Sequence, residues 1–121
     1  MKRIAKMTID ELVERFTAIA LDQYGALQNY NSSRFNRLFD QMEVVEQELK
    51  KREGDQRLAL LTLYDHPNPQ VRLKAATATL ALAPANARGV IQAIAESGEY
   101  PQAGDAGMAL IRIDSGEFKP N

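Results

Sequence analysis

The chain has 121 residues, 45% hydrophobic and 26% charged, with a formal net charge of -1; that balance fits one globular domain and argues against a broad basic footprint for nucleic acid. It has no cysteine and a single histidine, which excludes disulfides and thiolate metal sites and leaves no ligand set for structural zinc. The opening "MKRIAKM" reads like the basic start of a signal peptide, but Asp10, Glu11, Glu14 and Arg15 stand where its apolar run should be, and no stretch approaches the ~20 apolar residues of a membrane span; a cytoplasmic location is expected.

Strand signals are nearly absent, and helix signals follow one another. Residues 1–7 read as an N-terminal extension. Thr8 and Glu11 have the spacing of a capping box, flanked by Met7 and Leu12 as a hydrophobic staple. Leu12, Val13, Phe16, Ile19, Ala20 and Leu27 then predict a first helix over about 9–27. "NYNSS" breaks it, with Asn31, Ser32 and Ser33 able to cap. Phe35, Leu38, Phe39, Met42, Val45 and Leu49 predict a second helix over about 33–52, closed by Gly54. Its acid–base pairs Glu46–Lys50 and Glu48–Arg52 suit an outer face.

Asp55 can cap a third helix over about 56–65, with Leu58, Leu60, Leu61, Leu63 and Tyr64 as its apolar residues. In "HPNP" the residues before each proline are pushed out of the helical region, so His66-Pro67 ends that helix. Asn68 is then an N-cap and Pro69 a first helical residue. A fourth helix is expected over about 69–83, stopping at Pro84. A fifth follows over about 86–97 (Val90, Ile91, Ile94), ending at Gly98. A sixth lies within 101–114, with Ala106, Met108, Ala109, Leu110, Ile111 and Ile113. "EFKPN" reads as a tail in which Phe118 could dock.

A shift of thirty residues lays the third and fourth helices on the fifth and sixth. Leu60 meets Val90, Leu61 meets Ile91 and Tyr64 meets Ile94, while Ala76 meets Ala106, Thr79 meets Ala109 and Leu80 meets Leu110. Recurrence at a helical-pair period is the mark of stacked α-solenoid units, in which small residues sit where helix axes come close. On Pro67-Asn68-Pro69-Gln70-Val71-Arg72, Ala75-Ala76 and Leu80, the chain resembles the HEAT-repeat family of armadillo-type superhelices. The match is strongest over 58–83, weaker over 86–113, and absent over the first two helices, which read as a divergent capping pair. Many family members carry an acidic residue six before the arginine; here that position is His66, with Asp65 one earlier. The whole chain also resembles a small bacterial family of short HEAT-like proteins with no assigned activity. The resemblance implies an all-α fold: a short right-handed HEAT-like superhelix of about six helices in three antiparallel pairs. It forms one domain, with a capping pair at 8–54, repeats at 55–84 and 85–116, and a tail at 117–121.

Several side chains are of types that carry chemistry. His66 beside Asp65 has the look of an oriented general base, but spacing fixes no nucleophile or second acid nearby, so it reads as a turn residue. Arg72 and Lys74 place cations at a helix N-terminus, where they are unfavourable without compensation; a salt bridge from Arg72 to Asp65 or to a neighbouring helix fits better than a bound anion. Asp40, Glu43, Glu46 and Glu48 lack a histidine at metal-motif spacing and read as a solvated face. Arg34 and Arg37 with Tyr30 lack the broader basic surface of a nucleic-acid site. Gly98, Gly104 and Gly107 match no phosphate loop and read as a helix stop and close-packing positions.

The function these readings support is a non-enzymatic protein–protein interaction module, with no cofactor, metal or catalytic set. The expected docking edge carries Arg72, Lys74 and Thr77, with Tyr64 as aromatic anchor and His66 in the adjoining turn; Val71, Ala75 and Leu80 should face the core. The partner is expected to be a protein of acidic character, not a specific nucleic acid or a membrane, and the chain itself a monomer or weak homodimer. Alternatives are an immunity- or antidote-type inhibitor of a specific toxin or enzyme, and a HEAT-like enzyme of the DNA glycosylase or chromophore-lyase kind.

Overall fold

The computed structural model describes residues 3–121; Met1 and Lys2 of the expected extension lie outside the described residues. The fold is all-α. A short 3-10 turn at Ile4–Lys6 precedes α1 (Ile9–Gln28) and α2 (Ser32–Lys51); a 3-10 helix at Gln56–Asp65 leads to α3 (Pro69–Ala78), α4 (Pro84–Ala95) and α5 (Gln102–Asp114). The chain divides into two compact units, up to Ala59 and from Leu60.

The first unit is a helical hairpin. Its entry is the expected capping box: the Thr8 backbone N–H donates to Glu11 Oε1 at 2.8 Å, and the Glu11 N–H donates to Thr8 Oγ1 at 3.1 Å. Met7 and Leu12 on either side are buried. Leu12, Phe16, Ile19 and Ala20 of α1 and Leu38, Met42, Val45 and Leu49 of α2 form the apolar core. Asn31 caps α2, accepting the Arg34 N–H at 3.1 Å, so the helix opens at Ser32. Phe35 is only half-buried and Phe39 is exposed, although both fit the apolar spacing.

Glu48 corrects the expectation of a solvated acidic face. Its side chain is 7% exposed and is held by Arg52 Nε at 2.7 Å and Lys51 Nζ at 3.2 Å. The Arg52 bond is the main reason its carboxyl lies below the usual range. Arg52 also donates to the Ile4 carbonyl at 3.2 Å, tying the N-terminal turn to the end of α2.

The expected third helix forms as a 3-10 helix. Its buried residues follow that geometry: Arg57, Leu60 and Leu63 recur every third position. Three residues per turn stack them on one ridge, where an α-helix would fan them apart. Leu58, off that ridge, is exposed.

In the second unit, Leu73, Ala76 and Leu80 pack with Ala87, Ile91 and Ile94 of α4 and Ala106 and Leu110 of α5. Ala76 and Ala106 are both fully buried, in keeping with small residues where helices converge. α3 is shorter than expected. The Thr79 hydroxyl donates to the Ala75 carbonyl at 2.8 Å, and the Leu82 and Ala83 N–H groups bond back to the Thr79 carbonyl, so tight turns fill 79–83. Pro84 opens α4 instead of merely stopping α3, since the first helical position needs no N–H. In α5, Met108 and Ile111 point outward, while Ala106 and Leu110 are buried. Burial matches Leu60 and Leu63 with Ile91 and Ile94, an offset of 31 where the sequence comparison expects thirty.

Candidate functional site

The "HPNP" reversal is built as its residues require. Asn68 Oδ1 accepts the Gln70 N–H at 2.8 Å and the Val71 N–H at 3.3 Å, and Pro69 occupies the first helical position. The His66 ring takes part: its Nδ1 accepts the Asn68 backbone N–H at 3.0 Å. That bond uses the lone pair a general base on Nδ1 would need and leaves the ring's proton on Nε2. The ring is thus bonded into the turn.

The expected docking edge does not stand open. Tyr64 is half-buried and its hydroxyl pairs with Thr79 Oγ1; burial raises the phenol above its ordinary range. The Thr77 hydroxyl donates to the Leu73 carbonyl at 2.8 Å. Arg72 reaches Glu99, in the connection before α5, at 3.3 Å; the compensating salt bridge exists, with a partner other than Asp65. Lys74 is half-buried. Val71, Ala75 and Leu80 face the core as expected. Beneath this edge Gln102 Nε2 donates to Gln70 Oε1 at 3.0 Å, both side chains 1% exposed. Composition alone gives no signal for a buried amide pair.

The tip of the α1–α2 hairpin presents the opposite situation. α1 ends in a Schellman motif: the Asn31 N–H reaches the Ala26 carbonyl at 2.8 Å and the Tyr30 N–H reaches that of Leu27 at 3.3 Å. The motif places Tyr30 at the left-handed position, with φ 53°. Glycine suits that position; a side chain there costs about 1–2 kcal/mol. The Tyr30 residue is 94% exposed, so burial recovers nothing of that cost.

Two clefts flank this tyrosine. One, of about 220 Å³, is lined by Ala26, Leu27, Tyr30, Asn31, Ser32, Phe35 and Asn36. The other, of about 260 Å³, is lined by Leu21, Asp22, Gly25, Ala26, Asn29, Asn31 and Arg34. Arg34 stands 3.8 Å from Asp22, both side chains about half exposed, and Arg37 is exposed one turn on. The tip thus offers an aromatic ring, apolar cleft walls and two arginines against one aspartate.

A family model described as a domain of unknown function (DUF2019) matches residues 10–114. The chain belongs to the DUF2019 family. No curated protein matches this DUF2019 chain. It is similar to the crystal structure of the protein RPA1889 from Rhodopseudomonas palustris CGA009, with 50% identity over 100% of each chain and a TM-score of 0.94. The DUF2019 match takes in the Tyr30 tip, the "HPNP" reversal and the whole of α5. Among the described residues of this DUF2019 chain, no group of three His, Asp or Glu side chains is placed to hold a metal ion, and no helix is long and apolar enough to cross a membrane.

Proposed function

We propose that the chain is a non-enzymatic protein-binding module that docks through the Tyr30 tip of the α1–α2 hairpin. The observation that carries this reading is Tyr30 itself: a bulky residue in a costly backbone conformation, with its ring in water. Residues held in such conformations cluster at ligand clamps and other functional sites, and Tyr30, unlike the other left-handed non-glycine residue Asp55, leaves its side chain almost wholly in water. Exposed tyrosine is a favoured interface anchor because it brings a large amphipathic surface. Arg34 and Arg37 favour a partner of acidic character, as expected for the "HPNP" edge, whose side chains are instead engaged within the fold. The reading includes a cytoplasmic setting. It also includes a HEAT-like origin for residues 60–113, supported by the recurrence of burial at Ala76 and Ala106 and at Leu80 and Leu110.

A photo-crosslinking phenylalanine analogue at position 30, used in native lysate, tests the proposal. One dominant crosslinked protein, which once purified binds the parent chain, supports it. Crosslinks no more selective than those from the same analogue at exposed Ala93 overturn it.

A further inference from the structure

The outer face of α5 carries an apolar stripe. Met108 is 52% and Ile111 63% exposed. At 3.6 residues per turn Gly104, Met108 and Ile111 share one side of the helix, away from buried Ala103, Ala106 and Leu110. The ring of Tyr100 lies over Gly104, 3.7 Å from where a Cβ would stand. Beside the stripe run Asp105 and Arg112, seven residues apart and so on one side of the helix, about 10 Å apart along its axis. The Asp105 carboxylate has no partner among the described residues, and Arg112 only grazes Glu117 at 4.0 Å.

We propose that this face is a self-association surface, on which a second copy of the chain packs its own α5 antiparallel about a two-fold axis beside Met108. A two-fold interface must be self-complementary: if residue i meets j, then j meets i. The α5 face meets that condition twice. An axis level with Met108 falls within about half a residue of the midpoint of Gly104 and Ile111 and of that of Asp105 and Arg112, so each of these pairs comes nearly opposite across it. Ile111 of each copy therefore lies against the Tyr100 ring that covers Gly104 of the other, an aliphatic side chain on an aromatic face. Asp105 of each copy likewise lies near Arg112 of the other, a charge pair at both ends of the apolar strip. A parallel pairing would carry Asp105 and Arg112 of the second copy to the far side of the seam, where neither meets an opposite charge, so the charges favour the antiparallel one. The Arg112–Glu117 contact is exposed and long, and giving it up costs little.

Sedimentation equilibrium of the full chain over a concentration series tests this, with circular dichroism as the check on folding. The parent should form dimers, and Met108→Glu should abolish them. Asp105→Arg and Arg112→Asp should each weaken self-association about tenfold or more, because each creates like-charge contacts. An equimolar mixture of those two variants should regain dimers, since each then supplies the sign the other lacks. A parent that stays monomeric throughout, a dimer indifferent to Met108→Glu, or a mixture no tighter than its separate components would each overturn the proposal.

Discussion

The Gln102 amide donates to the Gln70 side-chain oxygen at 3.0 Å, linking the first turns of α3 and α5 where both side chains are almost wholly buried. Neither amide can turn to bulk water, so removal of Gln102 costs a buried hydrogen bond that water does not replace. Gln102→Met keeps the volume and deletes the bond. It should cost about 1–3 kcal/mol by chemical denaturation, whereas Gln92→Met, on the half-buried flank of α4, should cost under about 0.5 kcal/mol.

Packing of the second unit turns on small residues. Ala76 is fully buried among Leu73, Leu80, Ile91 and Ala106. Ala76→Leu forces three methylene-sized groups into filled space and should cost about 1–3 kcal/mol. Ala93→Leu, at an exposed position of α4, should be close to neutral. Urea unfolding of the two variants side by side makes the comparison; equal, small losses would count against convergence of the helices at Ala76.

Much of this was legible in the residues because it is local. The Thr8–Glu11 box, the Asn68 cap and the Pro69 helix start depend on spacing over three or four positions, and each stands where the sequence puts it. The inward turn of Glu48 was not legible. An i,i+4 acid–base pair looks the same on an outer face as on a buried one, and the contact that accompanies its burial, from Arg52 to the Ile4 carbonyl, joins residues 48 apart in sequence. The outward face of α5 was hidden for another reason. Ala106, Met108, Ala109, Leu110, Ile111 and Ile113 surround the helix with apolar groups, so periodicity selects no single side. The α helix expected at 56–65 fails because leucine-rich runs satisfy threefold and 3.6-fold spacing alike over so few turns. At the candidate site, Tyr30 was visible as an aromatic beside arginines, but its left-handed backbone was not, since asparagines on either side were the better candidates for that conformation.

Glu48 carries a pH signature with a definite sign. Arg52 first, then Lys51, holds its folded-state carboxyl below the ordinary carboxylate range, against the opposing effect of burial. The native state therefore binds its proton less readily than the unfolded chain does. The stabilisation is fully present above the ordinary carboxylate range and is lost as pH falls through the lowered folded-state value. Stability measured by urea unfolding from neutral to acidic pH should fall on the acid side, and Glu48→Gln should flatten that limb while lowering the neutral plateau. An acid limb unchanged by the substitution would show that other carboxylates dominate it.

The most direct test of a docking role for Tyr30 pairs stability with binding in one variant. Tyr30→Gly removes the ring and gives the left-handed position the residue that suits it; the relief of about 1–2 kcal/mol outweighs the roughly 0.5–1 kcal/mol of extra chain entropy that glycine loses on folding, so the variant should be more stable than the parent. Its affinity for the partner identified through position 30 should fall at least tenfold, as loss of an aromatic anchor usually costs more than 1 kcal/mol. A titration of that partner by calorimetry, with urea unfolding of the same preparations, reads both. Greater stability together with lost binding is the expected result; affinity equal to that of the parent would contradict it and remove Tyr30 from the interface.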